Sequence, residues 1–359
     1  MRGGRRFSTV FIALVAGAVL SASSVWATAP EQLSGYLMGD LAPGKLVPFY
    51  RAESALATII GIENLEEDGF GGGAGKDITV HVTVFTKSGD HVVDFDLCLS
   101  PFDFGFLVLQ KNAPSAAQQA ELAQRFAKVR VLSTAGDGIP GEGYATLRAL
   151  AEFNSHDGTC GKFKDDEIEE FIPDGISEPL ATWAILQDVG KGFFASEIPT
   201  LTAIVEGDGE AVEKAEVGKT TIGAYGLIPE ENRVFARFDV NPNIASKTEI
   251  FVWLSKKLCR PEEEEVCLLE TPAFLNCEDE FRGSTLIDLG KGVNIIDPDT
   301  IAGQCKALGQ YRGVLEFTMP AAGFLWSHIS QEGEHFQETF LGYNLDCNIF
   351  IDPSCDGAN

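Results

Sequence analysis

Strict alternation of apolar and polar residues marks the segment from Ile78 to Leu99. Every second residue is apolar on both sides of a turn-forming sequence at 87–90, namely Ile78, Val80, Val82, Val84, Val93, Phe95, Leu97 and Leu99. A four-residue loop at 87–90 pairs Thr86 with His91 and so sets Val82 against Phe95. The other face then pairs His81 with Asp96 and Thr83 with Asp94. The pattern predicts a β-hairpin with one face in a core and one face in water.

Shorter stretches of the same kind predict strands along the whole chain. They are Leu46–Arg51, Ala55–Ile62, Phe104–Gln110, Tyr144–Phe153, Thr182–Gln187, Arg233–Val240, Lys247–Leu254, Val314–Met319, Phe324–Ile329 and His335–Tyr343. One helix is predicted from Ser115 to about Val129, since it follows Pro114 and carries an apolar stripe that includes Leu122 and Phe126. We find no clear internal repeat. Many short strands with one or two short helices predict a mainly β chain of β-sandwich or jelly-roll-like modules.

The first 27 residues have the layout of a cleavable secretory signal peptide. Three arginines precede an apolar stretch from Phe7 to Leu20, and small residues follow it. Val25-Trp26-Ala27 predicts cleavage after Ala27, with cleavage after Ala29 as the alternative. The apolar stretch is short for a membrane span, which needs about 20 residues. We therefore expect an exported protein without a membrane span, in the periplasm, at the cell surface or in the medium.

Chain length predicts two folded modules. Cleavage after Ala27 leaves 332 of the 359 residues, whereas single cores rarely grow beyond about 250–300 residues. We predict a first β-rich module at residues 28–192 and a second at 193–346, the latter with a disulfide-rich insertion at 257–310. Residues 347–359 are predicted to form a C-terminal tail.

Eight cysteines follow the export signal: Cys98, Cys160, Cys259, Cys267, Cys277, Cys305, Cys347 and Cys355. An even number in an exported chain predicts disulfide bonds, although the pairing cannot be derived from sequence. Cys347 with Cys355 is the best local pair, and Cys98 with Cys160 is a second choice. The four cysteines between 259 and 305 predict a stapled insertion, because its first part, up to Glu280, offers little apolar surface. No cysteine spacing indicates a zinc site.

The chain is strongly acidic, with a formal net charge of −26. Loss of the signal peptide removes three arginines and no acid, which makes the charge −29. Such a surface repels phosphate backbones and anionic lipids, so we exclude nucleic acid as a partner. The simplest interpretation is a soluble, well-hydrated surface.

No complete catalytic or cofactor motif occurs in the sequence. The glycine-rich run at 69–76 lacks the first glycine and the final hydroxyl residue of a phosphate loop, since Phe70 and Asp77 occupy those positions. Neither G-x-S-x-G nor H-E-x-x-H is present. A Ser–His–Asp site stays open, because its members need not be adjacent in sequence. His81 beside Asp94 and Asp96 is the candidate general base, and a surface ion pair is the competing interpretation.

Calcium is the one metal that the sequence leaves open. Several acidic loops could supply oxygen ligands, and the weak candidates are Asp208, Glu210, Asp297 and Asp299. None of them matches the EF-hand spacing, and acidic loops of extracellular modules bind calcium weakly. We predict no other cofactor.

Two stretches of the chain share a pattern with other exported proteins. One is Leu46–Leu109, which holds Val47-Pro48-Phe49-Tyr50 and the predicted hairpin. The other joins Ala236–Leu254 to Pro320–Gly342. Together they resemble a group of uncharacterised exported bacterial β-sandwich proteins, over about half of the chain. The resemblance implies the fold and a bacterial envelope or secreted location, and it transfers no functional residue.

Two classes of function fit these observations. The first is a non-enzymatic envelope or extracellular protein with a structural, adhesive or binding role, toward a partner that the sequence does not identify. The alternative is a secreted hydrolase acting on polysaccharide or ester substrates. A carbohydrate-binding module lies between the two and needs a planar aromatic platform, for which Trp253 and Trp326 are candidates.

Overall fold

A computed structural model describes fifteen ranges of the chain: residues 44–53, 55–65, 78–125, 128–150, 180–188, 194–202, 204–206, 210–212, 233–240, 246–254, 268–275, 282–298, 311–320, 323–331 and 337–341. These residues form mainly antiparallel sheets, with one α-helix among them. The predicted mainly β class is thereby confirmed. The signal peptide at 1–27 and the tail at 347–359 lie outside the described residues. Within the described ranges, no helix is long and apolar enough to cross a membrane.

The chain divides into two compact units. The first contains the described residues up to 84 and from 92 to 210, and the second contains residues 85–91 and the described residues from 211. Each unit is described below by itself.

The first part of the chain, to residue 212, forms twelve of the described strands and the helix. They are β1 (Gly44–Arg51), β2 (Leu56–Asn64), β3 (Ile78–Thr86), β4 (His91–Leu99), β5 (Phe104–Gln110), α1 (Ala116–Arg125), β6 (Val129–Ser133), β7 (Glu142–Leu150), β8 (Leu180–Asp188), β9 (Phe194–Ile198), β10 (Leu201–Thr202), β11 (Ile204–Glu206) and β12 (Glu210–Val212). The last two strands form a two-stranded sheet of their own.

Two five-stranded sheets organise the first unit. One has the order β6-β5-β2-β8-β9 and the other has the order β10-β1-β7-β3-β4. β9 pairs with β8 and β10 pairs with β1, so residues 194–202 belong to this unit although they follow the predicted boundary at 192. β5 and β6 are parallel, and α1 lies between them in the chain because a parallel pair needs a long crossover connection.

The interior of the first unit is built from branched aliphatic side chains. Those with no exposed surface are Leu46, Val47, Ile60, Ile62, Val80, Val82, Val84, Leu99, Leu107, Leu109, Leu132, Leu147 and Leu180. β-Branched residues alternate on the strands because they pack well on a pleated surface. The apolar face predicted for the hairpin is thus confirmed on β3.

The opposite face of β3 differs from the prediction. Thr79 and Thr83 have no exposed surface and His81 is 6% exposed, whereas a water-facing side was expected. On β4 the predicted polar face is exposed at Asp94, whereas Val93, Phe95 and Leu97 of the predicted apolar face are only half-buried. Alternation reports which residues share a face, and it cannot report whether a further layer covers that face.

The hairpin loop closes one residue earlier than predicted. The Thr86 carbonyl accepts a hydrogen bond from Gly89 (3.2 Å), and the Thr86 N–H donates to the Asp90 carbonyl (2.9 Å). Gly89 has φ 87°, the left-handed conformation that a three-residue hairpin loop requires at this position.

The helix is also shorter than predicted. Ser115 caps it, since the Ser115 hydroxyl accepts a hydrogen bond from the Gln118 N–H (3.3 Å) and the Gln118 side chain accepts one from the Ser115 N–H (2.9 Å). The helix ends at Arg125, and Val129 begins β6 by pairing with Phe106. Pairing with a distant strand has overridden the helical spacing of Val129.

The second unit contains eight described strands. They are β13 (Arg233–Val240), β14 (Ser246–Leu254), β15 (Leu268–Leu275), β16 (Arg282–Asp288), β17 (Gly292–Ile296), β18 (Tyr311–Thr318), β19 (Gly323–Gln331) and β20 (Gln337–Leu341). They form two four-stranded sheets with the orders β13-β18-β15-β16 and β17-β14-β19-β20. Every described strand pair in them is antiparallel.

The stretch 257–310 takes part in both of these sheets. It was predicted as an insertion, yet it supplies β15, β16 and β17, which pair with strands from both sides of it in the chain. Pro272 lies within β15, and the β15–β18 ladder covers only residues 273–275. Proline has no N–H for a ladder, which explains why pairing begins after it. The disulfides predicted for this stretch stay a prediction.

Candidate functional site

The acid–histidine pair predicted on the hairpin is present in the first unit. His81 Nδ1 lies 2.8 Å from Asp96 Oδ1. The His81 side chain is 7% exposed and the Asp96 side chain is 21% exposed, so the pair is largely shielded from water. A carboxylate on Nδ1 favours the tautomer with its proton there, which leaves Nε2 as the acceptor. His81 is therefore oriented as a general base would be.

The described neighbours of His81 on β3 do not supply a nucleophile for it. Thr79 and Thr83 are two residues away on the same face of β3, and their hydroxyls are buried. Neither hydroxyl makes a hydrogen bond within the described structure. A nucleophile and its base lie within hydrogen-bond reach of each other, about 2.6–3.2 Å. Asp94, the third member of the predicted cluster, is exposed. The described residues form a histidine–carboxylate pair on a polar, buried face.

The calcium candidates are not brought together by the described residues. Asp297 is exposed directly after β17, Glu210 begins β12, and Asp208 and Asp299 lie outside the described ranges. In the parts of the chain that the structure describes, no three His, Cys, Asp or Glu side chains cluster as metal ligands. A calcium site at these residues stays a prediction.

Cys98 on β4 is disulfide-bonded, and it is the one cysteine within the described ranges. The other seven cysteines, one of which is its partner, lie outside the described ranges. The proposed pairs Cys98–Cys160 and Cys347–Cys355 therefore stay predictions.

The two tryptophans considered as a carbohydrate platform are buried in the second unit. Trp253 is 1% exposed and Trp326 is 2% exposed. Trp326 stacks on Phe251 with ring centroids 4.6 Å apart and an interplanar angle of 15°. Phe324 lies 5.7 Å from Trp326 on the same side of the sheet. These rings pack in the interior and do not present a sugar-binding surface.

A second tryptophan cluster lies in the first unit and was missed by sequence reasoning. Trp183 on β8 is paired with Gly61 on β2, and a side chain at Gly61 would overlap its indole. Phe104 stacks near Trp183 with centroids 6.2 Å apart. Burial raises the pKa of Glu63, and a hydrogen bond with Trp183 works in the opposite direction. The cluster depends on the register of β2 and β8, which the sequence does not show.

A second acid–histidine pair was also missed. Glu249 on β14 lies directly opposite His328 on β19 in the antiparallel ladder. His328 is 7% exposed. Both residues lie on predicted strands, but the signal that would have joined them is the pairing of residues that are 69 to 85 positions apart along the chain.

Phe102 is the most exposed large apolar residue among the described ones. It is 66% exposed and has φ 59°, a left-handed conformation that is unfavourable for a bulky side chain. The Asp103 N–H donates to the Ser100 carbonyl (2.9 Å), which closes a turn with Pro101 and Phe102 at its centre. Glycine or asparagine normally occupies the position of Phe102 in such a turn.

The turn is held firmly at both of its sides. The Phe102 N–H donates to the Asn64 carbonyl (2.8 Å), and the Asp103 carboxylate accepts from the Phe104 N–H (2.8 Å) and pairs with Lys128. Burial alone would raise the pKa of Asp103, but the hydrogen bond with Lys128 and those from the backbone outweigh it and lower the pKa. The strained conformation is therefore imposed by its surroundings.

Comparison with known proteins adds no name to these observations: no protein-family model, curated protein or solved structure matches the chain.

Proposed function

We propose that the chain is a non-enzymatic exported protein of the bacterial envelope or extracellular space that binds another protein, built from two β-sandwich modules. The export part of the proposal rests on the signal-peptide pattern of residues 1–27. The sandwich part is supported by contacts between the sheets of each unit.

In the first unit, the Thr58 hydroxyl on β2 accepts a hydrogen bond from the Arg51 N–H of β1 (2.9 Å), a strand of the other sheet. A side chain at Gly105 on β5 would meet Leu99 of β4 at 3.4 Å, again across the two sheets. In the second unit, Thr248 on β14 bonds in the same way to Asp239 on β13. Such contacts are those expected of two sheets packed face to face.

The observation that carries a binding role is Phe102. Its strained backbone conformation costs on the order of 1–3 kcal/mol, and its exposed ring gains little from the fold. In the second unit, the connection that leads into β17 uses a glycine, Gly292, for its left-handed residue (φ 81°). The chain therefore contains a left-handed residue that carries no backbone strain. The presence of an aromatic ring at residue 102 is explained if the ring is buried against a partner.

The net charge of the molecule limits the chemical classes of partner that it can bind. A net charge of −29 after export repels anionic lipid surfaces and polyanions. A single phenylalanine is also a poor platform for a sugar, and Phe102 is the one exposed large apolar side chain among those whose burial is described. A protein with an apolar pocket and a neutral or basic rim fits best.

The test compares the full-length exported protein with Phe102→Asn. Asparagine adopts the left-handed conformation readily, so the variant should be as stable as the wild type or more stable. Affinity capture from the native envelope and culture medium should recover partners with the wild type and not with Phe102→Asn. Equal recovery with both proteins would refute a role for Phe102, and recovery of none with either would refute the binding role.

The hydrolase remains the second candidate, and the His81–Asp96 pair is the observation that favours it. It predicts turnover of simple ester or polysaccharide substrates that is lost in His81→Gln, while Phe102→Asn retains it. Absence of turnover by the wild-type exported protein across both substrate classes, at concentrations that detect a slow hydrolase, would eliminate this candidate.

A further inference from the structure

We infer that the chain is a tandem duplication of one eight-stranded module. In the first unit the eight strands are β1 to β5 and β7 to β9, and in the second they are β13 to β20. Numbered from one to eight along the chain, both sets form one sheet with the order 1-6-3-4 and another with the order 5-2-7-8. The first unit adds β6 and β10 at sheet edges, and α1.

The ladder between strands two and seven has the same length and pairing direction in both units. It has nine pairs in each unit, from Leu56 with Asp188 and from Ser246 with Gln331. Threonine stands third in strand two of both units, as Thr58 and Thr248. Tryptophan stands at the same rung of both ladders, as Trp183 opposite residue 61 and Trp326 opposite residue 251.

The two threonines form the same link between the two sheets. The Thr58 hydroxyl accepts from the Arg51 N–H (2.9 Å) and donates to the Arg51 carbonyl (3.0 Å). The Thr248 hydroxyl accepts from the Asp239 N–H (2.9 Å) and donates to the Asp239 carbonyl (2.6 Å). In both units one hydroxyl satisfies the N–H and the carbonyl of a single residue on strand one. We call this link the threonine latch.

The residue held by each latch also forms an ion pair with strand six, and the polarity is reversed between the units. Arg51 is paired across strands with Glu142, with 2.7 Å between Nη2 and Oε1. Asp239 is paired across strands with Arg312, with 3.7 Å between Oδ2 and Nε. Changing one member alone would place like charges opposite each other, which is destabilising. A reversed pair at the same position is what compensated divergence of two copies produces.

Unequal connections explain why the sequence shows no repeat. Thr58 and Thr248 are 190 residues apart, whereas Trp183 and Trp326 are 143 apart. The connection from the fifth to the sixth strand has 31 residues in the first unit, between β5 and β7, and it includes α1 and β6. The equivalent connection in the second unit, between β17 and β18, has 14 residues. No single offset aligns the two copies.

The added strand β6 is linked to the strained turn at Phe102. Lys128, directly before β6, forms an ion pair with Asp103, which is adjacent to Phe102. The Lys128 carbonyl also accepts the Phe106 N–H (2.9 Å). The strained turn and the added β6 are therefore physically connected, in the copy that carries the exposed ring. The duplication itself does not depend on the proposed function.

The test exchanges the ion-pair polarity between the copies in the full-length protein. Arg51→Asp and Glu142→Arg should each lower the melting temperature, and the double variant, which has the polarity of the second unit, should recover at least half of the loss. In the second unit, Asp239→Arg and Arg312→Asp should likewise each lower the melting temperature, and their double variant should recover at least half of the loss. Failure of either double variant to recover would overturn the equivalence of the two sites.

Asp103→Lys with Lys128→Asp is the matched control. The Asp103 carboxylate also accepts backbone N–H groups from Ser100 and Phe104, which lysine cannot do, so no recovery is expected. Recovery in this control would mean that any ion pair can be reversed, and the result would no longer support equivalence.

The latch is tested separately by hydrogen exchange. Thr58→Val should raise amide exchange in residues 44–64, and Thr248→Val should raise it to a similar extent in residues 233–254. Thr58→Ser and Thr248→Ser keep the hydroxyl and should stay near the wild type. A marked effect of one valine variant and none of the other would contradict the duplication, because the two latches would then not be equivalent.

Discussion

At the scale of single residues, buried hydroxyls of the same type play opposite roles. Thr58 and Thr83 are both without exposed surface. Thr58 makes two hydrogen bonds to the backbone of Arg51, whereas the Thr83 hydroxyl makes none within the described structure. An unsatisfied buried polar group costs about 1–3 kcal/mol, and a satisfied one stabilises the fold.

Substitution by valine should therefore have opposite signs at these two positions. Thr83→Val removes an unsatisfied hydroxyl at constant shape and should be neutral or stabilising by up to about 1 kcal/mol. Thr58→Val leaves a backbone N–H and carbonyl without their partner and should destabilise by about 1–3 kcal/mol. Urea unfolding of the full-length variants measures both. A loss of stability in Thr83→Val as large as that in Thr58→Val would show that Thr83 has a partner.

Glu63 should make the stability of the first unit depend on pH. Burial raises its pKa above the usual 4.5, against the effect of the hydrogen bond with Trp183. The folded state therefore holds the proton more tightly than the unfolded state, and this contribution is fully present below about 4.5. It is lost as the pH rises through the folded pKa.

Glu63→Gln removes the charge and keeps an acceptor for the indole. The variant should gain stability relative to the wild type between pH 4 and pH 7, and denaturation midpoints at the two values measure the gain. The same difference at both pH values would mean that Glu63 does not titrate in this range.

At the scale of elements, the packing of β8 on β2 depends on the absence of a side chain at Gly61. The indole of Trp183 occupies the space that a Cβ would need. In the second unit Phe251 stands at the corresponding rung, and its ring stacks on Trp326 instead. The two ladders thus accommodate their tryptophans in different ways.

Gly61→Ala should destabilise the first unit by about 1–3 kcal/mol, the usual effect of overpacking. Gly141→Ala is the control, since a Cβ there meets Glu53 at an ordinary 3.6 Å. It should change stability by less than about 0.5 kcal/mol. Tryptophan fluorescence during unfolding reports the transition, and equal effects of both variants would contradict the packing described here.

At the scale of the whole molecule, the predicted export and the net charge bear on the stability of the folded protein. The predicted export would place the eight cysteines in an oxidising environment, in which disulfides form and persist. The formal net charge of −26, or −29 after the predicted cleavage, produces self-repulsion, which destabilises a compact state. The export signal with its cysteines and the net charge are both properties of the whole sequence.

The exported protein should begin at Thr28 and contain few free thiols. N-terminal sequencing of material from the native cell envelope or medium tests the first point. Alkylation without reductant followed by mass spectrometry tests the second. A retained Met1, or four or more alkylated cysteines, would contradict the predicted processing or the predicted disulfides, respectively.

Millimolar calcium should raise the melting temperature more than sodium chloride at the same ionic strength. Screening by salt is general, whereas coordination by acidic loops is selective and reversed by a chelator. Asp297→Asn is the accessible variant, because Asp297 is exposed and described. Identical melting curves in the two salts would refute a calcium site, and an unchanged calcium effect in Asp297→Asn would exclude that residue.

The sequence by itself determined most strands and which of their residues share a face. Phe104–Gln110 and Arg233–Val240 have the predicted bounds, and the Val80–Val84 face is buried as expected. Local alternation suffices here, because the side chains of a strand point to opposite faces with a period of two.

Only the tertiary structure decided how those strands are paired and which faces are covered. Parallel pairing with β5 made Val129 a strand residue, and pairing with β16 and β18 made residues 268–275 part of a sheet. The buried Thr83, the Gly61–Trp183 contact and the two threonine latches likewise join residues from different strands or layers. Hydrogen-bonded partners and covering layers are distant in the chain, so local periodicity carries no information about them.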